Sequence, residues 1–191
     1  MTVIAISGSP SPQSRTQRLL AHVLSLVALR GLDTDLLSLA SLPASALVRA
    51  DSTAPEIESA LLAIADARVV IVGTPIYKAA YSGLLKVFLD LLPQDGLDGK
   101  IVLPIATGGS QAHLLALDYA LRPVLQSLGA DVVLPSVFAL DRDVATNAQG
   151  GITLDEALRA RVTDASRQIG SFVERLYAQA YAGAHAGCIE A

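Results

Sequence analysis

Five short apolar runs, Val3–Ile6, Leu36–Leu39, Val69–Val72, Ile101–Ile105 and Val132–Val137, alternate with helical stripes along this chain. The runs are mostly rich in β-branched residues and bounded by turn residues, the pattern of parallel strands buried on both faces. Leu19, Leu20, Val23, Leu24 and Val27 share one helical face, and Ile57, Leu61 and Ile64 another. Leu85, Phe88, Leu89 and Leu92 follow, then Leu114, Leu117, Leu121, Val124 and Leu128. A last helix is expected from Leu154 to about Tyr181. Parallel strands need such crossovers, so the order predicts an α/β domain: a doubly wound, five-stranded parallel sheet with helices on both faces. Residues 1–181 are expected to form this single domain and 182–191 a flexible tail. The polar, glycine-containing stretch Asp141–Gly151 is expected to be a long mobile loop.

Composition narrows the surroundings. Apolar residues make up 52% of 191 and mean hydropathy is +0.48, yet no apolar stretch reaches the roughly 18 to 20 residues that span a bilayer. Burial inside a two-faced sheet and between subunits is the expected use of that excess. One cysteine, Cys188, excludes a disulfide framework. The chain enters its first strand at once, with no basic segment and no cleavage site, so no export signal is expected and the cytoplasm is the expected compartment. A net charge of −4 without a basic run argues against nucleic acid and against an anionic membrane as partner.

Doubly wound sheets bind ligands beyond the carboxyl ends of their strands, beside the switch point. Three loops fall there. In "IAISGSPSPQSRTQRLL" a strand stops at Ser7-Gly8-Ser9, Pro10 and Pro12 stiffen the turn, and a helix begins. That helix N-terminus suits a phosphate dianion. Ser9, Ser14, Thr16 and Gln17 can add side-chain donors, and Arg15 a charge. A plain Ser/Thr cap without ligand is the other reading. G-x-G-x-x-G and Gly-Lys-Ser/Thr are both absent, which excludes a dinucleotide fingerprint and a triphosphate loop. The absence of a thiol and of acidic residues in this loop likewise argues against a cysteine phosphatase and a phospho-receiver domain. A monophosphate held by hydroxyls and amides points to flavin mononucleotide (FMN).

In "GTPIYKAAYSGLLKVFLD", Pro75 and Tyr77 can form a rigid edge against a planar ring, with the Ile76 N–H available to it. In "ATGGSQAH", Thr107-Gly108-Gly109-Ser110 allows close approach of a ligand to backbone just before a helix. For a flavin, that helix end would stabilise negative charge arising near N1 and O2 on reduction. Ordinary turns packed on neighbouring helices remain the alternative for both loops. His113 is in the first turn of this helix, and the three histidines have no metal-like spacing, so no metal site is expected. Pro123 falls inside the fourth stripe, four residues after Tyr119, and cannot bond the Tyr119 carbonyl. A π-type bulge would absorb that fault, and a simple proline kink is the other outcome.

Through "GSPSPQSRT", "TPIYKAAYSGLLKVFLDLLP" and "GKIVLPIATGGSQAHLLALDYALRPVL" the chain resembles the NADPH-dependent FMN reductase family of flavodoxin-like fold. Within it, the chain looks nearest to the reductases of bacterial alkanesulfonate systems. The resemblance covers roughly residues 2 to 140. It implies that Ser9, Arg15, Thr16 and Gln17 hold the FMN phosphate, although the family often has a hydroxyl in place of Gln17. It also implies that Pro75, Ile76, Tyr77 and Thr107–Ser110 border the isoalloxazine. Tyr119 matches a tyrosine that the family carries in a π-helix at a tetramer interface near the flavin, where it is linked to release of flavin as a substrate.

The implied activity is hydride transfer from NADPH or NADH to FMN, with reduced FMN passing to a flavin-dependent monooxygenase and a homotetramer as the assembly. No side chain is singled out as a catalytic acid or base, because hydride transfer depends on stacking and distance. An FMN-bound quinone, azo or chromate reductase would use the same loops, and so would a flavodoxin-like electron carrier. The choice between NADPH and NADH stays open, since none of Arg30, Arg49, Lys78 and Arg142 can be placed beside a 2′-phosphate.

Overall fold

Val3 and Ala5 pack on one side of β1 (Thr2–Ser7) and Ile4 and Ile6 on the other, and all four are buried. That two-sided burial demands a layer of helices on each face. The computed structural model describes residues 2–147 and 151–186. After β1 come α1 (Arg15–Ala28), β2 (Asp33–Ser38), a short α2 (Ala44–Arg49) and α3 (Pro55–Asp66). β3 (Val69–Tyr77) folds back as β4 (Ala80–Tyr81), followed by α4 (Gly83–Leu89) and β5 (Ile101–Gly108). A 3-10 turn (Gln111–His113) and a π-helical turn (Leu117–Leu121) then lead into α5 (Arg122–Ser127). The chain finishes with β6 (Val132–Val133), β7 (Val137–Leu140), β8 (Val144–Thr146), β9 (Ile152–Leu154) and α6 (Glu156–Ala186).

The sheet order is β2-β1-β3-β5, with β6 and β7 sharing the next position. These strands are all parallel. The expected doubly wound, flavodoxin-like arrangement is therefore present, with its switch point between β1 and β3. α1 and α6 cover the face that carries Val3, Ala5, Ile71 and Leu103. α3, α4 and α5 cover the face that carries Ile4, Ile6, Val72 and Val102. Leu19, Leu20, Val23, Leu24 and Val27 of α1 are all buried, and each contributes about 1.5–3 kcal/mol relative to exposure.

Three expectations need correction. Val132–Val137 is not one strand: it is broken at Leu134-Pro135-Ser136 into β6 and β7. Pro135 in the break itself has no N–H for a ladder, and β5 adds a second gap. Val102 offers its carbonyl to the Leu134 N–H at 2.8 Å, so Pro104, two residues on, faces the same side with no N–H to offer. The last helix does not begin at Leu154, which pairs with Val144 in the β8–β9 hairpin. It begins at Glu156, where Asp155 Oδ1 accepts from the Ala157 N–H at 2.9 Å and caps the helix. Nor is Asp141–Gly151 one structureless loop, because it holds a 3-10 turn (Asp141–Asp143) and β8. Residues 148–150 of that stretch lie outside the described residues. α6 runs past the expected boundary at Tyr181 to Ala186, and the rest of the expected tail, Cys188 included, lies outside the described residues. Among the described residues no helix is long and apolar enough to cross a membrane.

Candidate functional site

The loops after β1, β3 and β5 meet at the carboxyl edge of the sheet and line one cleft of about 230 Å³. From the first come Ser9, Ser11, Ser14, Arg15 and Thr16, from the second Pro75, Ile76 and Tyr77, and from the third Thr107, Gly108 and Gly109. Asp141, at the end of β7, completes the wall.

The first loop is arranged to donate. Ser14 caps α1, its Oγ accepting from the Gln17 N–H at 3.1 Å, and Ser9 Oγ accepts from the Ser11 N–H at 3.2 Å. Each hydroxyl thereby has its oxygen engaged and its hydrogen free for a ligand. α1 has 14 residues and no acid in its first turn, so nothing opposes its partial positive charge, and the exposed Arg15 adds a full one. The buried Thr16 and Thr107 hydroxyls lie 2.7 Å apart and tie this loop to the third.

The second loop is stapled to the first. Ser82 Oγ donates to the Gly8 carbonyl at 2.5 Å while accepting from the Leu85 N–H at 3.1 Å, and the Gly8 N–H reaches the Gly73 carbonyl at 2.8 Å. A Cβ on Gly8 would stand 2.8 Å from Leu85 Cβ, so only glycine allows this approach. Thr74 Oγ1 donates to the Pro75 carbonyl at 3.0 Å and accepts from the Ser82 N–H at 2.9 Å, which fixes the start of the Pro75–Tyr77 edge. That edge ends in a two-residue hairpin whose tip, Lys78 and Ala79, has φ of 50° and 64°. Both values are positive without a glycine, as the twist of a tight hairpin demands. Tyr77 is half exposed beside this tip.

In the third loop, a Cβ on Gly108 would come within 3.1 Å of Phe138 Cζ and 3.6 Å of Ile76 Cβ. A side chain on Gly108 would therefore crowd Phe138 and Ile76, while the exposed Gly109 beside it has room at the rim of the cleft.

Three expected residues sit outside the cleft. Gln17 turns to the end of β2, where its Oε1 accepts from Ser38 Oγ at 3.1 Å. Ser110 is exposed and caps the 3-10 turn, its Oγ accepting from the Ala112 N–H at 3.3 Å. Tyr119 is 79% exposed on the π-helical turn, which packs against β4. There the Arg122 N–H reaches back five residues to the Leu117 carbonyl, so the bulge expected from Pro123 is present. His113 keeps a buried Nδ1 with no partner among the described residues. Sequence reasoning missed Asp141 and the positioning pair Thr74 and Ser82. Only the β5–β7 register, which sets Gly108 opposite Leu140, brings Asp141 next to Gly109.

The donor set fits FMN: hydroxyl hydrogens, a helix N-terminus and a guanidinium at one end, an apolar edge and glycine backbone at the other. The profile of a family described as NADPH-dependent FMN reductase matches residues 1–145. The FMN reductase (NADPH) of Pseudomonas putida is 45% identical to this chain over 86% of it and 84% of that protein. The NADH-dependent FMN reductase SfnF of Pseudomonas fluorescens is 37% identical over 85% of this chain and 86% of its own. A solved structure of the NADH:FMN oxidoreductase EMOB in its apo form superposes with a TM-score of 0.80 at 40% identity, covering 88% of each chain.

Proposed function

We propose, for a chain that belongs to the NADPH-dependent FMN reductase family and is an NAD(P)H:FMN oxidoreductase, that its reduced FMN leaves as a product. In this reading it supplies a flavin-dependent monooxygenase of the alkanesulfonate type and works as a cytoplasmic homotetramer. The observation that supports it most is the π-helical turn, which displays Tyr119 beside β4 and hence beside the hairpin that carries Tyr77. The family resemblance links a tyrosine so placed to an intersubunit face and to flavin that exchanges.

In this reading Ser9, Ser14 and Thr16 donate to the phosphate, the N-terminus of α1 attracts it, and Arg15 neutralises part of its charge. Pro75, Ile76 and Tyr77 hold one edge of the ring plane, while Gly108 and Gly109 let backbone amides face its polar edge. Gln17 and Ser110 serve from behind, one holding Ser38 and the other starting the 3-10 turn. Bound FMN supplies the acceptor for the nicotinamide hydride. The chain supplies alignment, which is what that transfer needs.

The test is steady-state oxidation of NADPH and of NADH by flavin-stripped protein, with FMN titrated from zero. A rate that is nil without FMN and saturates as FMN exchanges freely is the expected result. Stoichiometric FMN that stays bound and needs a quinone or dye for turnover would replace it with a prosthetic-group reductase. No oxidation of either nicotinamide would leave an electron carrier.

A further inference from the structure

Among the described residues, Asp141 is the single acidic side chain lining the cleft and Arg15 the single basic one. Arg15 belongs to the phosphate end, at the start of α1. Asp141 belongs to the other: it follows Leu140, the register partner of Gly108, and its Oδ2 lies 3.7 Å from where a Cβ on Gly109 would stand. The adjacent Arg142 is turned to Asp143 at 3.7 Å, and no described cation pairs with the Asp141 carboxylate. A half-buried carboxylate with no described cation beside it thus borders the glycine loop to which the reading above assigns the polar edge of the ring.

Such a charge has no purpose in holding a phosphate, which it repels. It does discriminate between two forms of one ligand. The phosphate carries the same charge before and after the reaction, so its repulsion by Asp141 cancels in a comparison of the two. The ring does not cancel, because two-electron reduction leaves negative charge on the pyrimidine edge near neutral pH. We propose that Asp141 is a specificity-determining residue that makes the cleft hold reduced FMN more weakly than FMN, favouring exchange of product for substrate. The inference rests on the FMN site described under Proposed function. A unit charge about 6 Å away at an effective dielectric near 40 changes an equilibrium by roughly tenfold.

The test is equilibrium binding, followed by flavin fluorescence for FMN and anaerobically for dithionite-reduced FMN. It compares the unaltered protein, Asp141→Asn and Asp141→Glu, and its readout is the ratio of the two Kd values. Asp141→Asn is expected to lower Kd(reduced)/Kd(oxidised) by about tenfold, and Asp141→Glu, which keeps the charge, to hold it within about threefold of the parent. Asp141→Ser provides the neutral comparison should the asparagine variant not fold. An unchanged ratio in both neutral variants, with FMN still bound, overturns the role of Asp141 and leaves the site reading intact. Failure of the unaltered protein to bind either form overturns both.

Discussion

The Thr16–Thr107 pair offers a test in which stability and ligand binding separate. Both residues are under 5% exposed, their oxygens are 2.7 Å apart, and they join the start of α1 to the end of β5 across 91 residues. Thr16→Val leaves the nearly buried Thr107 hydroxyl without its partner at the wall of the cleft, at a cost of about 1–3 kcal/mol. Thr107→Val strands Thr16 at a similar cost. Removing both hydroxyls leaves nothing unsatisfied, although two methyl groups need about 3.5–4.0 Å where the oxygens stand 2.7 Å apart, so the double variant is expected to lose less than the sum of the two single losses. Urea unfolding of flavin-free protein measures this cycle. In thermal melts each single variant should lose about 2–12 °C, at roughly 2–4 °C per kcal/mol for a chain of this size. FMN binding should follow another order. Thr16→Val and the double variant both lose the donor proposed for the phosphate and should weaken FMN roughly ten- to hundredfold, while Thr107→Val stays nearer the parent. Strict additivity of the two stability losses would refute the claim that this hydroxyl pair joins the loops.

The other expectations are shorter. Gly8→Ala should cost about 1–3 kcal/mol in urea unfolding, because its Cβ meets Leu85 at 2.8 Å and disturbs the Ser82 staple; a cost below about 0.5 kcal/mol would contradict that contact. Burial, and then the positive charge of Arg159, hold the His22 imidazole below its ordinary pKa of 6.5. The unfolded chain therefore takes up this proton first, and stability from His22 is full above about pH 6.5 and lost as pH falls through the lower folded value. His22→Gln should flatten the decline in unfolding midpoint between about pH 7 and 5. In sedimentation, the parent should run at the mass of four 19.8 kDa chains, and Tyr119→Asp should yield lighter species. An unchanged mass would move the intersubunit face away from the π-helical turn.

Much of this was legible in the chain because its signals are local. Two-sided strands such as Val69–Val72 are apolar throughout, the stripe of α1 keeps helical spacing from Leu19 to Val27, and Pro123 announces a missing N–H wherever its helix packs. The three loops could be named because strand ends in such a sheet must converge. What escaped depends on partners distant in sequence. The break in Val132–Val137 is at Pro135, and Pro104, some thirty residues earlier, faces the same edge without an N–H. Asp141 enters the cleft through the register of β7 on β5. Gln17, read as a donor, accepts through its amide oxygen from Ser38, which only the pairing of β1 with β2 brings near. The Lys78-Ala79 tip carries none of the Asn-Gly chemistry that marks such turns, and β8 and β9 flank a stretch polar enough to pass for a loop.

The broken outer position of the sheet bears on the chain's behaviour in crowded solution. A protein with mean hydropathy of +0.48 and a sheet this apolar is at hazard of adding strands from other copies along its free margins. On one margin β6 and β7 offer only two and four residues in line, parted by Pro135. On the other, β2 opens with Asp33 and Asp35. Neither margin presents a long, flat, uncharged template. The prolines that cost the fifth strand its continuity thereby help keep a very apolar chain from polymerising edge to edge.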